Sequence, residues 1–132
     1  MINKALGKII EKYNVKDTKN IIYGTNIPMP KVVIPTPWAT YINFEKVEYY
    51  FFYFSSEGVR IYPISGGGYI DIPWEDVLDF KMRHIFIVGK MSIKTKDATY
   101  KFQINRAVIG CPWIRKNIKY LESVHYFYRA KK

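Results

Sequence analysis

Cysteine is nearly missing from this chain: among 132 residues Cys111 is the single one. One thiol makes neither an intramolecular disulfide nor a cysteine zinc site, which suits a reducing compartment. Histidine is almost as scarce, with His84 and His125, and neither has a spacing that argues for a catalytic dyad. No uncharged apolar run approaches the ~20 residues that a membrane-spanning helix needs. At the N-terminus Lys4, Lys8 and Lys12 break the apolar residues at every turn, unlike a secretory signal. These gaps predict a cytoplasmic protein that needs no cross-link to fold, and a length suited to one domain over residues 1–132.

Negative charge is the other shortage. Eleven acidic residues face 21 basic ones, a net charge of +10. The excess sits at the ends of the chain: residues 1–20 hold five lysines against Glu11 and Asp17, and residues 90–132 hold eleven basic groups against Asp97 and Glu122. The middle is slightly acidic. Such asymmetry favours an anionic partner, a phospholipid surface, an acidic protein or peptide, or nucleic acid. The plainer reading is a lysine-rich surface that meets no polyanion.

What is present is aromatic and strand-like, with aromatic residues at 17%. From Tyr69 to Asn105 apolar residues recur at every second position: Phe80 and Met82, Met91 and Ile93, then Tyr100, Phe102 and Ile104. This period belongs to half-buried antiparallel strands. The alternate positions hold Lys81, Arg83, Lys90, Lys94 and Lys101, which predicts a basic outer face and makes these five the candidate anion-binding residues. Val47 to Phe54 is apolar in both phases, with Tyr49, Phe51 and Tyr53 on one side and Tyr50, Phe52 and Phe54 on the other. Such a strand is covered twice, by the core and by a helix, the proline segment or a partner. Ser55–Gly58 turns it back into a strand over Val59–Ile64. Gly66-Gly67-Gly68 is a turn; a strand rather than a helix follows it, so it is no P-loop.

Two helices are expected. Ile2, Ala5, Leu6, Ile9, Ile10 and Tyr13 share a stripe at helical spacing, with Lys4, Lys8 and Lys12 on another face. A basic amphipathic helix of this kind either lies in a membrane interface or packs on its own domain; packing is favoured, because the stripe lacks a bulky Trp or Phe. The second helix follows Pro112 and runs to about Tyr128, with Ile114, Ile118, Leu121 and His125 on one face and Arg115, Lys116 and Lys119 elsewhere. Between helix and sheet, Ile21–Tyr23 reads as a short strand. Pro28, Pro30, Pro35 and Pro37 make an extended or edge segment, with Val32, Val33 and Ile34 packed between them.

The chemistry-bearing groups are sparse. Glu75, Asp76 and Asp79 form an acidic cluster beside Trp74, best read as a solvated turn, with Trp74 plugging one end of a small barrel. Cys111 precedes a helix, where a thiol pKa can fall, but between Gly110 and Pro112 a packing role is the stronger reading. No catalytic constellation, metal site or cofactor is expected, and so no enzyme.

Ile72-Pro73-Trp74-Glu75-Asp76-Val77, followed by Gly-Lys-Met-Ser-Ile-Lys-Thr at 89–95, Tyr-Lys-Phe-Gln-Ile at 100–104 and a closing helix, resembles the pleckstrin-homology-like domains of low-GC Gram-positive bacteria. The resemblance covers roughly residues 47–123 and carries no catalytic motif. It implies an α+β, mainly β fold: a bent antiparallel sheet or partly open barrel of about seven strands, capped by the C-terminal helix, with the N-terminal amphipathic helix added. Residues 1–20 would be helix and connector, 21–110 strands and 111–128 the closing helix. Domains of this kind generally bind proteins, peptides or phosphoinositides, and some small bacterial members are associated with self-protection against bacteriocins.

Three readings follow. The first is a non-catalytic module at the inner face of the plasma membrane, held by Lys81, Arg83, Lys90, Lys94 and Lys101, with Lys4, Lys8 and Lys12 as a second contact and bacteriocin immunity as its narrow form. The second is nucleic-acid binding in a mobile element. The third is a protein-interaction or homo-oligomeric subunit pairing through Tyr49–Phe54 or a sheet edge.

Overall fold

The computed structural model describes residues 2–27, 30–31, 43–44, 47–85 and 87–129. It is mainly β with a helix near each end. The order is α1 (Ile2–Tyr13), β1 (Ile21–Asn26), β2 (Pro30–Lys31), β3 (Asn43–Phe44), β4 (Tyr49–Phe54), β5 (Gly58–Pro63), β6 (Ile70–Pro73), β7 (Val77–Ile85), β8 (Val88–Thr95), β9 (Thr99–Asn105) and α2 (Trp113–Ser123). Seven strands form one antiparallel sheet in the order β6-β5-β4-β1-β9-β8-β7, and β2 pairs with β3 in a separate ladder. The α+β, mainly β class with two flanking helices is as the sequence predicts.

The sheet must curl. Strands β6 and β7 lie at its opposite edges, yet the three-residue turn Trp74–Asp76 joins them in the chain. So short a connection spans at most roughly 14 Å, so the two edges converge at that corner. An aromatic cluster fills it: Trp74 lies 5.6 Å from Phe80 and 5.4 Å from Tyr128, and its indole N–H donates to the Ser55 carbonyl at 2.8 Å. Trp74 is therefore the plug expected of it.

Register sorts the side chains. Phe80 pairs with Ile93 and Ile93 with Tyr100; Met82 pairs with Met91 and Met91 with Phe102. These alternating apolar positions line the interior, where Met91 and Ile93 are buried. In the other half, Tyr23, Phe51 and Tyr62 share one face and Ile22, Phe52 and Ile61 the opposite one. All six are buried, which requires cover on both sides of the sheet.

Both helices supply that cover. Tyr13 of α1 packs 5.0 Å from Tyr62, and Trp113 of α2 packs 6.3 Å from Phe51. Asn3 ties the two helices: its amide donates to the Gly110 carbonyl at 2.9 Å, and its carbonyl accepts the Trp113 indole N–H at 2.7 Å. Ile2, Ala5, Leu6, Ile9, Ile10 and Tyr13 all pack on the core, so the stripe of α1 docks on its own sheet. Asn14 ends that helix in the left-handed region (φ 52°), and the Val15 N–H reaches back to the Ile10 carbonyl at 3.1 Å. This is the six-to-one closure that a left-handed residue permits.

Two element boundaries need correction. The strand read at Ile21–Tyr23 extends to Asn26 and sits between β4 and β9. Gly24 makes that position possible, because a Cβ there would stand 2.3 Å from the Gln103 carbonyl oxygen. The second helix stops at Ser123 rather than near Tyr128: His125, Tyr126 and Phe127 take positive φ values of 52°, 55° and 61°. That turn buries Tyr126, 5.2 Å from Phe54, and leaves His125 exposed rather than on the core face with Ile114, Ile118 and Leu121. Of the proline segment, Pro30–Lys31 is a strand paired with Asn43–Phe44, whereas Pro28, Val32, Val33, Ile34, Pro35 and Pro37 lie outside the described residues.

Candidate functional site

The outer surface of β7, β8 and β9 is built by alternation. Because Phe80, Met82, Met91, Ile93, Phe102 and Ile104 point inward, the intervening positions point out, and Lys81, Arg83, Lys90, Lys94 and Lys101 are all exposed there. Register arranges them in rows across the three strands: Asp79, Lys94 and Thr99; Lys81, Ser92 and Lys101; Arg83, Lys90 and Gln103. Neighbouring strands stand about 4.8 Å apart and same-face residues along a strand about 7 Å, so the five cations share a patch roughly 10 by 15 Å.

Little inside that patch balances them. Among the described residues Asp79 is the one carboxylate close to any of the five, with Lys81 Nζ at 3.6 Å from its Oδ2. Arg83 and Lys90 stand directly opposite each other across β7 and β8, an arrangement of like charges that is unfavourable in a bare sheet.

The lysines of α1 form a different patch. Lys4, Lys8 and Lys12 line a groove of about 370 Å³ with Ile9, Tyr13, Pro63, Ile64, Gly66 and Gly68. That groove lies beside β5, which is separated from β8 by β4, β1 and β9 in the sheet order. The eight candidate cations thus fall into two groups on different walls of the curled sheet.

Other expected groups do not converge. Glu75 and Asp76 are exposed on the turn before β7, while Asp79 faces Lys81. Cys111 is buried, and its thiol lies 3.4 Å from Asn3 Oδ1 as donor, a packing environment. Among the described residues no three His, Cys, Asp or Glu side chains gather where they would hold a metal. Strand β4, one of the surfaces considered for pairing with another chain, is hydrogen-bonded to β1 and β5 on its two sides.

One polar cluster was not read from the sequence. His84 points inward from β7, with Nε2 at 3.7 Å from Glu122 Oε1 on α2, and the Arg106 guanidinium lies 3.1 Å from the same oxygen. Desolvation, with the Arg106 charge behind it, holds the His84 pKa below its ordinary value, and Glu122 opposes the shift. His84 Nδ1 and Asn105 Oδ1 are buried without a hydrogen-bond partner among the described residues. These residues come from β7, the end of β9 and α2, so no spacing in the chain signals their meeting.

Among the described residues no helix is long and apolar enough to cross a membrane. No family model, no curated protein and no solved structure matches the chain.

Proposed function

We propose that this protein is a non-catalytic binding module of the bacterial pleckstrin-homology-like kind, working at the cytoplasmic face of a membrane through the outer surface of β7, β8 and β9. The kinship is supported by the curled seven-stranded sheet with its closing helix, and by Ile72–Val77 forming the turn between its two edges. The observation that carries the functional reading is the patch itself: Lys81, Arg83, Lys90, Lys94 and Lys101 exposed together, with Asp79 as the one carboxylate within 4.0 Å of them among the described residues.

An anionic surface relieves that arrangement. Each basic group close to an anionic bilayer contributes about 1 kcal/mol. A net of four cations therefore supplies about 4 kcal/mol, enough for reversible binding and strongly screened by salt. Co-sedimentation with vesicles tests the reading. Pelleting with phosphatidylglycerol-containing vesicles but not with pure phosphatidylcholine, lost as salt rises and lost in Lys81→Glu/Lys101→Glu, is the expected result. Equal pelleting with both vesicle types would remove the membrane from the account.

A further inference from the structure

A second basic site lies at the end of the barrel, away from that patch. Ile87 before β8, the connection after β9 and one side of α2 line a cleft of about 620 Å³. Arg106, Arg115, Lys116 and Lys119 line it, with Glu122 as the one acidic group among the described residues and Ile87, Ala107 and Ile118 as the apolar part of the wall. We infer that this cleft binds a phosphate-bearing ligand, with its phosphate held by the cations and its uncharged portion against Ile87, Ala107 and Ile118.

Three features carry the inference. First, the one carboxylate of the cleft is already engaged, since Glu122 sits 3.1 Å from Arg106 and 3.7 Å from His84. It fixes the Arg106 guanidinium instead of neutralising the α2 cations. Among the described residues no carboxylate lies within 4.0 Å of Arg115, Lys116 or Lys119. Second, those three cations are placed against the preferences of a helix. Arg115 and Lys116 sit in the first turn of α2, which has no acidic residue, so they add to the positive end of its dipole. Arg115 and Lys119 are also a like-charged i, i+4 pair. A bound anion relieves both penalties. Third, the chemistry fits a phosphate: the Arg115 guanidinium fork matches its oxygens in pairs beside the Lys116 and Lys119 ammonium groups, and the volume lies in the range of small-ligand clefts, ~300–1,000 Å³.

The ligand's source is either a phosphomonoester lipid headgroup or a soluble phosphate compound, and the experiment separates them. Inorganic pyrophosphate is titrated into the full chain while backbone amide resonances are followed. Saturable shifts at Ile87, Ala107 and Ile118 are expected. Arg115→Glu/Lys119→Glu should weaken binding by about tenfold or more. The charge-matched control Lys16→Glu/Lys96→Glu, outside both basic sites, should change it less than about twofold. Thermal melts of both variants establish that each is folded.

A parallel measurement compares vesicles containing phosphatidate with vesicles containing phosphatidylglycerol at equal surface charge. A phosphatidate preference that vanishes in Arg115→Glu/Lys119→Glu identifies the headgroup as ligand. Pyrophosphate binding without that preference identifies a soluble one. Absence of saturation at millimolar pyrophosphate together with no phosphatidate preference overturns the inference, as does an equal loss in the control variant. Pyrophosphate binding by a chain that ignores anionic vesicles would sink the membrane reading of the β7–β9 face and leave this cleft standing.

Discussion

The two halves of the sheet are built to opposite rules. At Phe51 and Phe52 of β4 both faces are apolar and both are covered, on the outside by α1 and α2 and on the inside by the core. Across β7, β8 and β9 one face is apolar and the other carries five exposed cations. A strand with two covered faces has no surface left for a partner, whereas a strand with one covered face has a whole side to present. On the proposed reading, the first half serves stability and the second recognition. It also says where substitutions should register: in unfolding for β4 and its neighbours, in binding for the outer positions of β7–β9.

The sharpest way to break that division is to remove a ring from the doubly covered half. Phe52 is fully buried, 4.9 Å from Phe102, and Phe52→Ala should cost about 3–5 kcal/mol, read from urea unfolding. Lys101→Ala, on the exposed side of β9, should change stability by less than about 0.5 kcal/mol. Similar losses in the two variants would dissolve the contrast.

Gly24→Ala probes the seam between the halves, where β1 meets β9. The added methyl would stand 2.3 Å from the Gln103 carbonyl, and overpacking of this kind costs about 1–3 kcal/mol. An Ala variant as stable as the parent would show that β1 and β9 can separate without harm. Smaller again is Asn3→Ala, which removes the side chain that joins α1 to Gly110 and Trp113. The expected loss is about 1 kcal/mol or somewhat more, the net worth of one or two partly exposed hydrogen bonds. Protection of α1 amides from hydrogen exchange should fall with it. Unchanged protection would mean that the apolar stripe alone holds the helix.

His84 adds a pH-dependent term on the half that carries the exposed cations. Its pKa is lowered on folding by burial and by Arg106, against the pull of Glu122. The unfolded chain therefore takes up the proton first. Stability is untouched above the unfolded value, near 6.5, and falls as pH drops through that value towards the folded one, below which the loss stays constant. His84→Gln should flatten the stability curve over that interval. A curve that keeps its slope would place the titration elsewhere.

How far the fold was legible depends on how local its causes are. The period of two in Phe80-Met82, Met91-Ile93 and Tyr100-Phe102-Ile104 is written in adjacent residues, and with it came the strands, the inward face and the position of every candidate cation on β7–β9. The double cover of β4 was likewise visible, because VEYYFFYF has no polar phase. The end of α2 was not legible. Ile114, Ile118, Leu121 and His125 continue one helical stripe, and only tertiary packing of Tyr126 against Phe54 and Phe80 turns the chain away from it. The cleft under α2 was hidden for a similar reason: His84, Arg106 and Glu122 are brought together by the pairing of β7 and β9 with β8 and the docking of α2, and their spacing in the chain carries no signal. That Lys4, Lys8 and Lys12 stand apart from the β7–β9 cations also depends on strand order, which periodicity does not encode.

The smallest stability effect is the most discriminating. Arg83 and Lys90 face each other across β7 and β8, so Lys90→Glu replaces a repulsion with an attraction. Opposite-charge cross-strand pairs are worth about 0.2–1 kcal/mol, and the variant should be more stable by a few tenths of a kcal/mol, measured by urea unfolding at low salt. The same substitution removes two units of positive charge from the patch, about 2 kcal/mol of attraction to an anionic bilayer, so vesicle affinity should fall by about thirtyfold. A surface selected only for folding would gain from the change and lose nothing. Stability that rises while binding falls marks a position whose charge serves a partner; stability and binding that fall together would mean Lys90 supports the fold, and the division between the two halves would fail at its centre.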